Sequence, residues 1–172
     1  MIIRQMEPQE LPVVAKIYVD SMKATHQGIV SEKFMESISN ESTVERFKGI
    51  LENSNLQSFC YVAERQDKII GFSMGSLPDH APQGYQGELN TLYILPHYQR
   101  IGVGKKLLHA VTNHFKQNEI RSMFLGVFKD NSSARKFYES VGGIKIGEFL
   151  DERLSKINGH DLVIAFYGWR RI

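Results

Sequence analysis

The residues with the clearest chemical potential form a glycine-containing turn at positions 99–104, with the sequence QRIGVG. The turn follows an apolar run that closes at Pro96, and it opens a helical pattern that includes Val103, Leu107 and Val111. A strand, a glycine turn and a fresh helix N-terminus together create an anion site, because the free N–H groups and the helix dipole attract negative charge. The segment therefore predicts an anion site.

Two well-known glycine turns do not fit these residues. A dinucleotide-binding turn has the pattern G-x-G-x-x-G, but Leu107 stands at the third glycine position. A nucleoside-triphosphate loop has the pattern G-x-x-x-x-G-K-[ST], but Gly102 and Gly104 are only two residues apart. No Ser or Thr follows Lys105 or Lys106. The residues instead satisfy the pattern Q/R-x-x-G-x-G/A.

The turn and its flanks, LYILPHYQRIGVGKKLL at residues 92–108, resemble the acetyl-CoA-binding motif of GNAT-type N-acetyltransferases. A second segment, FLGVFKDNSSARKFYESVGG at residues 124–143, is similar to the family's L-x-V-x-x-x-N-x-x-A-x-x-F-Y-x-x-x-G-F block. Gly143 is a departure, because the family often has Phe at this position. The two blocks occur in the family's order and separation, and they look most like those of small bacterial acetyltransferases, polyamine acetyltransferases included.

The resemblance implies that acetyl-CoA is the co-substrate, with its pantetheine arm along the strand before the turn and its pyrophosphate over the backbone of the turn. Arg100 and Lys105 would add charge-assisted contacts, although each is also compatible with a solvated basic surface. The cofactor-binding residues implied by the family motif are Tyr93, Ile94, Leu95, Arg100, Ile101, Gly102, Val103, Gly104, Lys105, Asn131 and Tyr138.

The resemblance also implies two catalytic side chains, Tyr138 and Glu88. Attack of an amine on the thioester releases a CoA thiolate, and a nearby phenol with a pKa of about 10 can protonate it. Tyr138 has the family's tyrosine position, and a core aromatic is the alternative. An alkylammonium with a pKa of about 10.4 must first lose a proton, and Glu88 resembles a glutamate that acts through water in some GNAT enzymes. The alternative for Glu88 is a solvated carboxylate at the start of a strand. The backbone N–H of Tyr93 is the implied oxyanion donor.

The acceptor is less well defined by the sequence. In the family, the loop between the first two helices and the loop before the motif strand form the acceptor pocket, which points to His26, His80 and Tyr85 as substrate-binding candidates. The alternative for each is an exposed loop residue. We expect direct attack by a primary amine, with a small molecule such as a polyamine or another amino compound favoured. A protein lysine or N-terminal acetyltransferase and a non-catalytic acyl-CoA-binding regulator remain alternatives.

Periodicity and turn residues predict the elements that must position these side chains. Asn131 is expected to cap a helix that ends at Gly142, and Ser42 with Glu45 matches a capping box for a short helix. Residues 155–160 are expected to be a polar turn. Other predicted helices are 8–23, 31–38 and 102–117, and the predicted strands are 2–6, 58–64, 68–77, 88–95, 122–128, 144–150 and 161–167. This order predicts the α/β GNAT fold, with a mixed, largely antiparallel sheet and helices on both faces.

Composition limits the remaining function classes. A chain of 172 residues with a formal charge of +2 indicates a single domain over residues 1–172, and the small charge argues against nucleic-acid binding. The single Cys60 reads as a buried strand residue and excludes an internal disulfide. No apolar run approaches 18 residues, so we expect no membrane association and a cytoplasmic protein.

Two expectations concern further partners. His97, His109, His114 and His160 lack metal-binding spacing, so no metal is predicted. Phe166, Tyr167 and Trp169 form an aromatic C-terminal tail that is compatible with a homodimer, and packing of the tail on the chain's own sheet is the alternative.

Overall fold

The computed structural model describes residues 1–53 and 57–172. A seven-stranded sheet has the order β1-β2-β3-β4-β5-β7-β6 and is antiparallel except for the β4–β5 pair. The strands are β1 (Ile2–Gln5), β2 (Phe59–Arg65), β3 (Lys68–Ser76), β4 (Gly87–Ile94), β5 (Met123–Phe128), β6 (Ile144–Leu150) and β7 (Val163–Trp169). The helices are α1 (Leu11–Thr25), α2 (Glu32–Glu36), α3 (Asn40–Glu52), α4 (Val103–Gln117), α5 (Ser132–Ser140) and α6 (Glu152–Asn158). The predicted mixed, largely antiparallel sheet is confirmed.

The β4–β5 pair is very short. Only Gly87 with Met123 and Glu88 with Phe124 are paired, although β4 continues to Ile94 and β5 to Phe128. The two strands therefore diverge after Glu88, and a cleft opens between them. Backbone groups on this edge of β4 have no strand partner beyond the junction, so they are available to a ligand.

Helices cover both faces of the sheet, as predicted. On one face, α1 and α3 pack through Val14 and Phe47 against Phe72 of β3. On the other face, buried side chains of α4 and α5 pack against the C-terminal strands. Tyr167 and Trp169 are 0% and 9% exposed within this second cluster, so these two residues of the aromatic tail pack on the chain's own sheet.

The predicted capping box of α3 is wrong by three residues. Ser39, not Ser42, is the N-cap: its Oγ accepts from the Ser42 N–H at 3.0 Å, and the Ser39 N–H donates to Ser42 Oγ at 3.1 Å. The earlier start brings Thr43 into the helix, where it is 2% exposed and its hydroxyl donates to the Ser39 carbonyl at 2.7 Å. Glu45 consequently lies inside the helix.

The polar segment before β7 is also different from the prediction. Residues 155–160 were expected to be a turn, but α6 covers most of them, and β7 begins at Val163. Asp151 caps α6 by accepting from the Leu154 N–H at 2.8 Å, and Gly159 ends it with a φ of 84°. Only Leu154 and Ile157 of α6 pack on the core, which is too few apolar positions to reveal a helical period. Asn158 Oδ1 accepts from the Ser31 N–H at 2.7 Å, so α6 holds the loop before α2.

The single cysteine lies where the sequence predicts it. Cys60 is a buried strand residue, as expected, and burial raises the pKa of its thiol to about 12. Within residues 1–53 and 57–172, no helix is both long and apolar enough to cross a membrane.

Candidate active site

The glycine turn forms the N-terminus of α4. Gly102 is the N-cap, with φ 87° and ψ 1°, in the left-handed region that glycine adopts without strain. The Lys106 N–H donates to the Gly102 carbonyl at 3.2 Å, which leaves the N–H groups of residues 103–105 without intrahelical partners. No side chain in the described part of the chain caps this turn. The turn therefore presents free N–H groups at the positive end of a helix, as an anion site requires.

The start of α4 lies close to both β4 and α5. A Cβ at Gly104 would lie 3.1 Å from Phe137 Cζ and 3.3 Å from Ile94 Cδ1, so a larger residue would push these elements apart. Gln99 Nε2 also donates to the Ile94 carbonyl at 3.0 Å, which ties the turn to the end of β4. The anion site is thereby placed at the mouth of the cleft.

The predicted basic contacts are on the surface around this turn. Arg100 is exposed and has a positive φ of 63°, and Ile101 is 52% exposed beside it. Lys105 is exposed on α4, where it lines a shallow surface depression together with Ile3 and His109. Val103 is buried below the turn, so its contribution to the anion site is its backbone.

Tyr93, Ile94 and Leu95 follow the point where β4 leaves β5. The Tyr93 ring packs edge-on against Tyr18 with centroids 5.2 Å apart, and its hydroxyl donates to Met22 Sδ at 3.0 Å. Burial raises the pKa of Tyr93 well above its ordinary value. The side chain of Tyr93 is thus fixed in the core below α1, while the backbone of β4 borders the cleft.

Asn131 and His26 meet at the far end of the cleft. Asn131 is 6% exposed and caps α5, with Oδ1 accepting from the Ala134 N–H at 3.0 Å. Its Nδ2 lies 3.4 Å from His26 Nε2, and His26 Nδ1 lies 3.3 Å from the Met22 carbonyl oxygen. These partners assign a proton to Nδ1 and leave Nε2 as the acceptor of the Asn131 amide.

The buried position of His26 keeps its ring neutral. It is 3% exposed, and burial lowers its pKa. The ring packs edge-on against Phe128 of β5 with centroids 5.1 Å apart, and it lies 6.3 Å from the Tyr93 ring of β4. His26 therefore spans the diverging strands, and both its ring nitrogens already lie within reach of protein atoms.

Tyr138 lies on α5, on the opposite face of the sheet from α1. Its ring packs edge-on against Phe137 and Trp169, with centroids 5.1 and 6.3 Å away. Burial raises the pKa of Tyr138, so its hydroxyl stays protonated at neutral pH. Within residues 1–53 and 57–172 this hydroxyl has no hydrogen-bond partner, and its oxygen keeps some contact with solvent. Burial is the main cause of the raised pKa of Tyr93, and the nearby phenols of Tyr18 and Tyr138 raise it further. Tyr93 and Tyr138 are therefore close enough to interact electrostatically.

Glu88 is the last β4 residue paired with β5, opposite Phe124, and it pairs with Ser76 on its other side. Phe72, Met74 and Ser76 are every second residue of β3 and so share one face, and Phe72 and Met74 pack below α1. Glu88 is the partner of Ser76, so it also faces the α1 side of the sheet. Burial raises the pKa of the Glu88 carboxyl. The structure thus puts Glu88 and Tyr138 on opposite faces, with the cleft between them.

The other two acceptor candidates lie in the loop before β4. His80 is exposed there. Tyr85 is 5% exposed and packs on Gly168 of β7, while the Arg170 guanidinium lies 4.3 Å from the centroid of its ring. The ring centroids of Tyr85 and Phe124 are 6.4 Å apart, and Phe124 is the cross-strand partner of Glu88, so Tyr85 lies near Glu88. His26 lies on the far side of the open sheet face.

Comparison with known proteins gives a family for this arrangement. Residues 23–143 match the model described as the Acetyltransferase (GNAT) family. The chain belongs to the GNAT family. It is therefore an N-acetyltransferase that depends on acetyl-CoA, as the sequence motifs predicted.

Individual GNAT relatives are similar at low identity. An uncharacterized N-acetyltransferase, YuaI, from Bacillus subtilis (strain 168) is 25% identical over 146 residues, which cover 85% of this chain and 82% of the relative. The spermidine N(1)-acetyltransferase of Thermoplasma acidophilum is 28% identical over 143 residues, 81% of this chain and 86% of the relative. The crystal structure of PaiA N-acetyltransferase from Thermoplasma acidophilum in complex with coenzyme A has a TM-score of 0.71 and 25% identity, covering 95% of this chain and 96% of that one.

The cleft has the chemistry that acetyl-CoA requires. The open N–H groups of residues 103–105 suit a pyrophosphate, and the unpaired edge of β4 suits the amides of a pantetheine arm. No group of three or more His, Cys, Asp or Glu side chains able to hold a metal occurs within residues 1–53 and 57–172.

Two polar residues of the GNAT cleft were not singled out from the sequence. Met74 pairs with Thr91 and Gly75 with Leu89, so Asn90 is an extra residue that forms a bulge in β4. Asn90 Oδ1 and Thr91 Oγ1 are buried, and neither has a hydrogen-bond partner among the described residues. The polar pair inside an otherwise apolar strand was the available signal, because buried oxygen atoms normally have a partner.

Proposed function

We propose that this GNAT enzyme acetylates a small primary amine by direct attack of the amine on the thioester of acetyl-CoA. The observation that carries the proposal is that Tyr138, whose hydroxyl has no hydrogen-bond partner among the described residues, and Glu88 lie on opposite faces of the sheet beside the cleft. Such an arrangement supplies a proton donor for the leaving group and a proton acceptor for the nucleophile.

The donor is positioned mainly by the backbone. The N–H groups of residues 103–105 would hold the pyrophosphate, and the Asn131 amide would contact the pantetheine arm while His26 fixes its orientation. The N–H of Tyr93 would stabilise the oxyanion that develops on the thioester carbonyl. Arg100 and Lys105 would add charge at the surface.

The reaction balances with three proton transfers. The ammonium loses a proton to Glu88 through water, its nitrogen forms a bond to the acetyl carbon, and the carbon–sulfur bond breaks. The CoA thiolate takes a proton from Tyr138, and the second proton that the nitrogen releases as the amide forms restores the Tyr138 phenol through water. Glu88 then releases its proton to solvent. A carboxyl whose pKa is raised is a stronger base, and burial keeps the Tyr138 phenol in the protonated form from which the leaving thiolate can take a proton.

Direct transfer needs no acyl-enzyme, and the position of Cys60 supports this route. The thiol is 5% exposed in β2, and burial raises its pKa to about 12, so little thiolate exists at neutral pH. Cys60→Ala is expected to keep the turnover rate within about twofold.

The acceptor class follows from two kinds of support. The spermidine N(1)-acetyltransferase relative is 28% identical, and a relative named "Probable spermine N(1)-acetyltransferase", from Bacillus subtilis subsp. natto, is 31% identical over 78 residues, 43% of this chain and 51% of the relative. The sheet face beside Glu88 is bordered by Tyr85 at one end and by His26 at the other, which also favours a small molecule over a protein segment. Polyamines and simpler amino compounds both belong to this class.

The proposal is tested by incubating the protein and acetyl-CoA with spermidine, n-hexylamine and a lysine-containing peptide, each in turn. CoA release and the mass of the acetylated product are measured. We expect turnover with at least one small amine and much less with the peptide. Tight CoA binding without turnover of any amine would refute the proposed function and favour a binding protein.

A further inference from the structure

The sheet face beside Glu88 is open in its middle. Gly126, Phe166 and Gly147 are cross-strand partners on β5, β7 and β6, so their side chains share one face. The row before them contains Glu88, Phe124 and Gly168, and the row after them contains Phe128, Ile164 and Phe149. We refer to the middle row and its two borders as the acceptor trench.

Rings border the acceptor trench at both ends. Tyr85 lies directly on Gly168, and Gln83 Nε2 donates to the Ile146 carbonyl at 2.9 Å, so the loop before β4 crosses the sheet there. At the other end, the His26 and Phe34 rings pack edge-on against Phe128, with centroids 5.1 and 6.5 Å away.

Between these borders the floor of the trench stays uncovered. Gly126 is exposed, yet a Cβ there would lie 2.8 Å from Ile164 Cγ2, so the glycine keeps the floor low. Phe149 stacks on Phe166 with centroids 4.9 Å apart and an interplanar angle of 10°, and it is 42% exposed. The trench therefore offers a flat aromatic wall beside a glycine floor.

The trench contains one carboxylate. Among the strand residues described in its three rows, Glu88 is the single charged side chain, and the others are aromatic, aliphatic or glycine. Glu148 alternates to the opposite face and forms ion pairs with Lys129 at 3.0 Å and with Lys145. On the strands of the trench a ligand would thus meet one negative charge and an apolar surface, and at the Tyr85 border the nearby charge is the positive guanidinium of Arg170.

We propose that the acceptor is a primary amine with one positive charge and an apolar chain or ring, whose body lies on Gly126 and Phe166 while its amine faces Glu88. This inference rests on the proposed function and narrows its acceptor. The middle row is two residues from Glu88, about 6.6 Å along a strand, so a chain of about six carbons reaches it. A second ammonium would lose water over the apolar floor without meeting a carboxylate, so polyamines are poorer substrates.

The test uses two amines with the same carbon chain, n-hexylamine and 1,6-diaminohexane, with spermidine as a third substrate. With the wild-type enzyme, kcat/KM from CoA release is expected to be at least about tenfold higher for n-hexylamine. Equal or higher kcat/KM for the diamine or for spermidine would overturn the inference but leave the proposed function standing. Absence of turnover with all three amines, despite CoA binding, would refute both.

A pair of surface variants tests whether the trench sets this preference. Phe149→Glu adds a carboxylate to the trench wall and is expected to raise the diamine-to-hexylamine ratio of kcat/KM at least about tenfold. Leu150→Glu is the matched control, because Leu150 is 43% exposed and its partner Val163 lies on the other face. An unchanged ratio in Phe149→Glu, or an equal rise in Leu150→Glu, would overturn the assignment. The KM for acetyl-CoA should stay within about twofold in both variants.

Discussion

Replacing Tyr138 by phenylalanine would separate the role of its hydroxyl from the packing of its ring. The ring contacts with Phe137 and Trp169 remain in the variant. The hydroxyl that is removed has no hydrogen-bond partner among the described residues, so no other group loses its bond. The structure therefore predicts a large change in rate and a small change in stability.

The expected magnitudes follow from these contacts. Loss of a general acid costs about 100-fold or more in kcat. The free energy of unfolding should stay the same or rise by up to about 1 kcal/mol, because an unpartnered hydroxyl contributes no net hydrogen bond. The dissociation constant of CoA should change less than about threefold, because the Tyr138 hydroxyl would contact only the sulfur, whereas the other proposed contacts are to backbone groups and Asn131.

Tyr167→Phe provides the matched control in the same core cluster. The Tyr167 hydroxyl donates to Glu139 Oε1 at 2.7 Å and accepts from Arg135 Nε at 3.1 Å. Its loss should lower the free energy of unfolding by about 2 kcal/mol, because both partners are charged. For a chain of this size the melting temperature then falls by about 4–8 °C. The kcat of this variant should remain close to that of the wild type.

Steady-state kinetics, calorimetric CoA binding and thermal unfolding of the two variants complete the assay. Turnover of Tyr138→Phe at the wild-type rate would refute the role of the hydroxyl as general acid. A joint loss of rate and stability in both variants would also refute it, since that pattern would indicate a packing role for Tyr138.

Three further variants test other parts of the site. In Glu88→Gln, kcat/KM should be low. In a pH profile, the wild-type kcat/KM should fall at acid pH with a pKa above the ordinary glutamate value of about 4.3, and the variant should lack this fall. Because burial raises the folded-state pKa of Glu88, wild-type stability should fall as pH rises through that pKa, and denaturant titrations of the Gln variant should lack this fall. His26→Phe keeps a ring beside Phe128 but removes the acceptor of the Asn131 amide, so the KM for acetyl-CoA should rise about fivefold with little change in kcat; an unchanged KM would contradict this role. Gly104→Val should lower the free energy of unfolding by about 1–3 kcal/mol in denaturant titrations, and weaken CoA binding in calorimetry, because its side chain would overlap Phe137.

The parts of the site that the sequence could predict are local. The spacing of Gly102 and Gly104 at the start of an apolar-periodic helix determines an anion site through backbone geometry alone. Asn131 caps the short helix that contains Tyr138, so their separation is also visible in the sequence. These segments were sufficient to predict the family, the mixed sheet and acetyl-CoA as the acetyl donor.

The parts that could not be predicted depend on long-range contacts. The contact between His26 and Asn131 joins residues 105 positions apart, and no local period records it. The point at which β4 leaves β5 is a matter of strand register, which alternation alone does not determine. The acceptor trench likewise arises only when Gly126 and Phe166 are placed side by side.

The short junction between β4 and β5 has a consequence for the lifetime of the protein. A molecule that bonds along the free edge of β4 takes the place of missing strand pairing, so it binds the folded chain and not the unfolded one. At a hundredfold excess over its dissociation constant, such a ligand adds about 2.7 kcal/mol to folding stability. Where a protease degrades the opened chain, the amount of enzyme would then rise and fall with the supply of its own co-substrate.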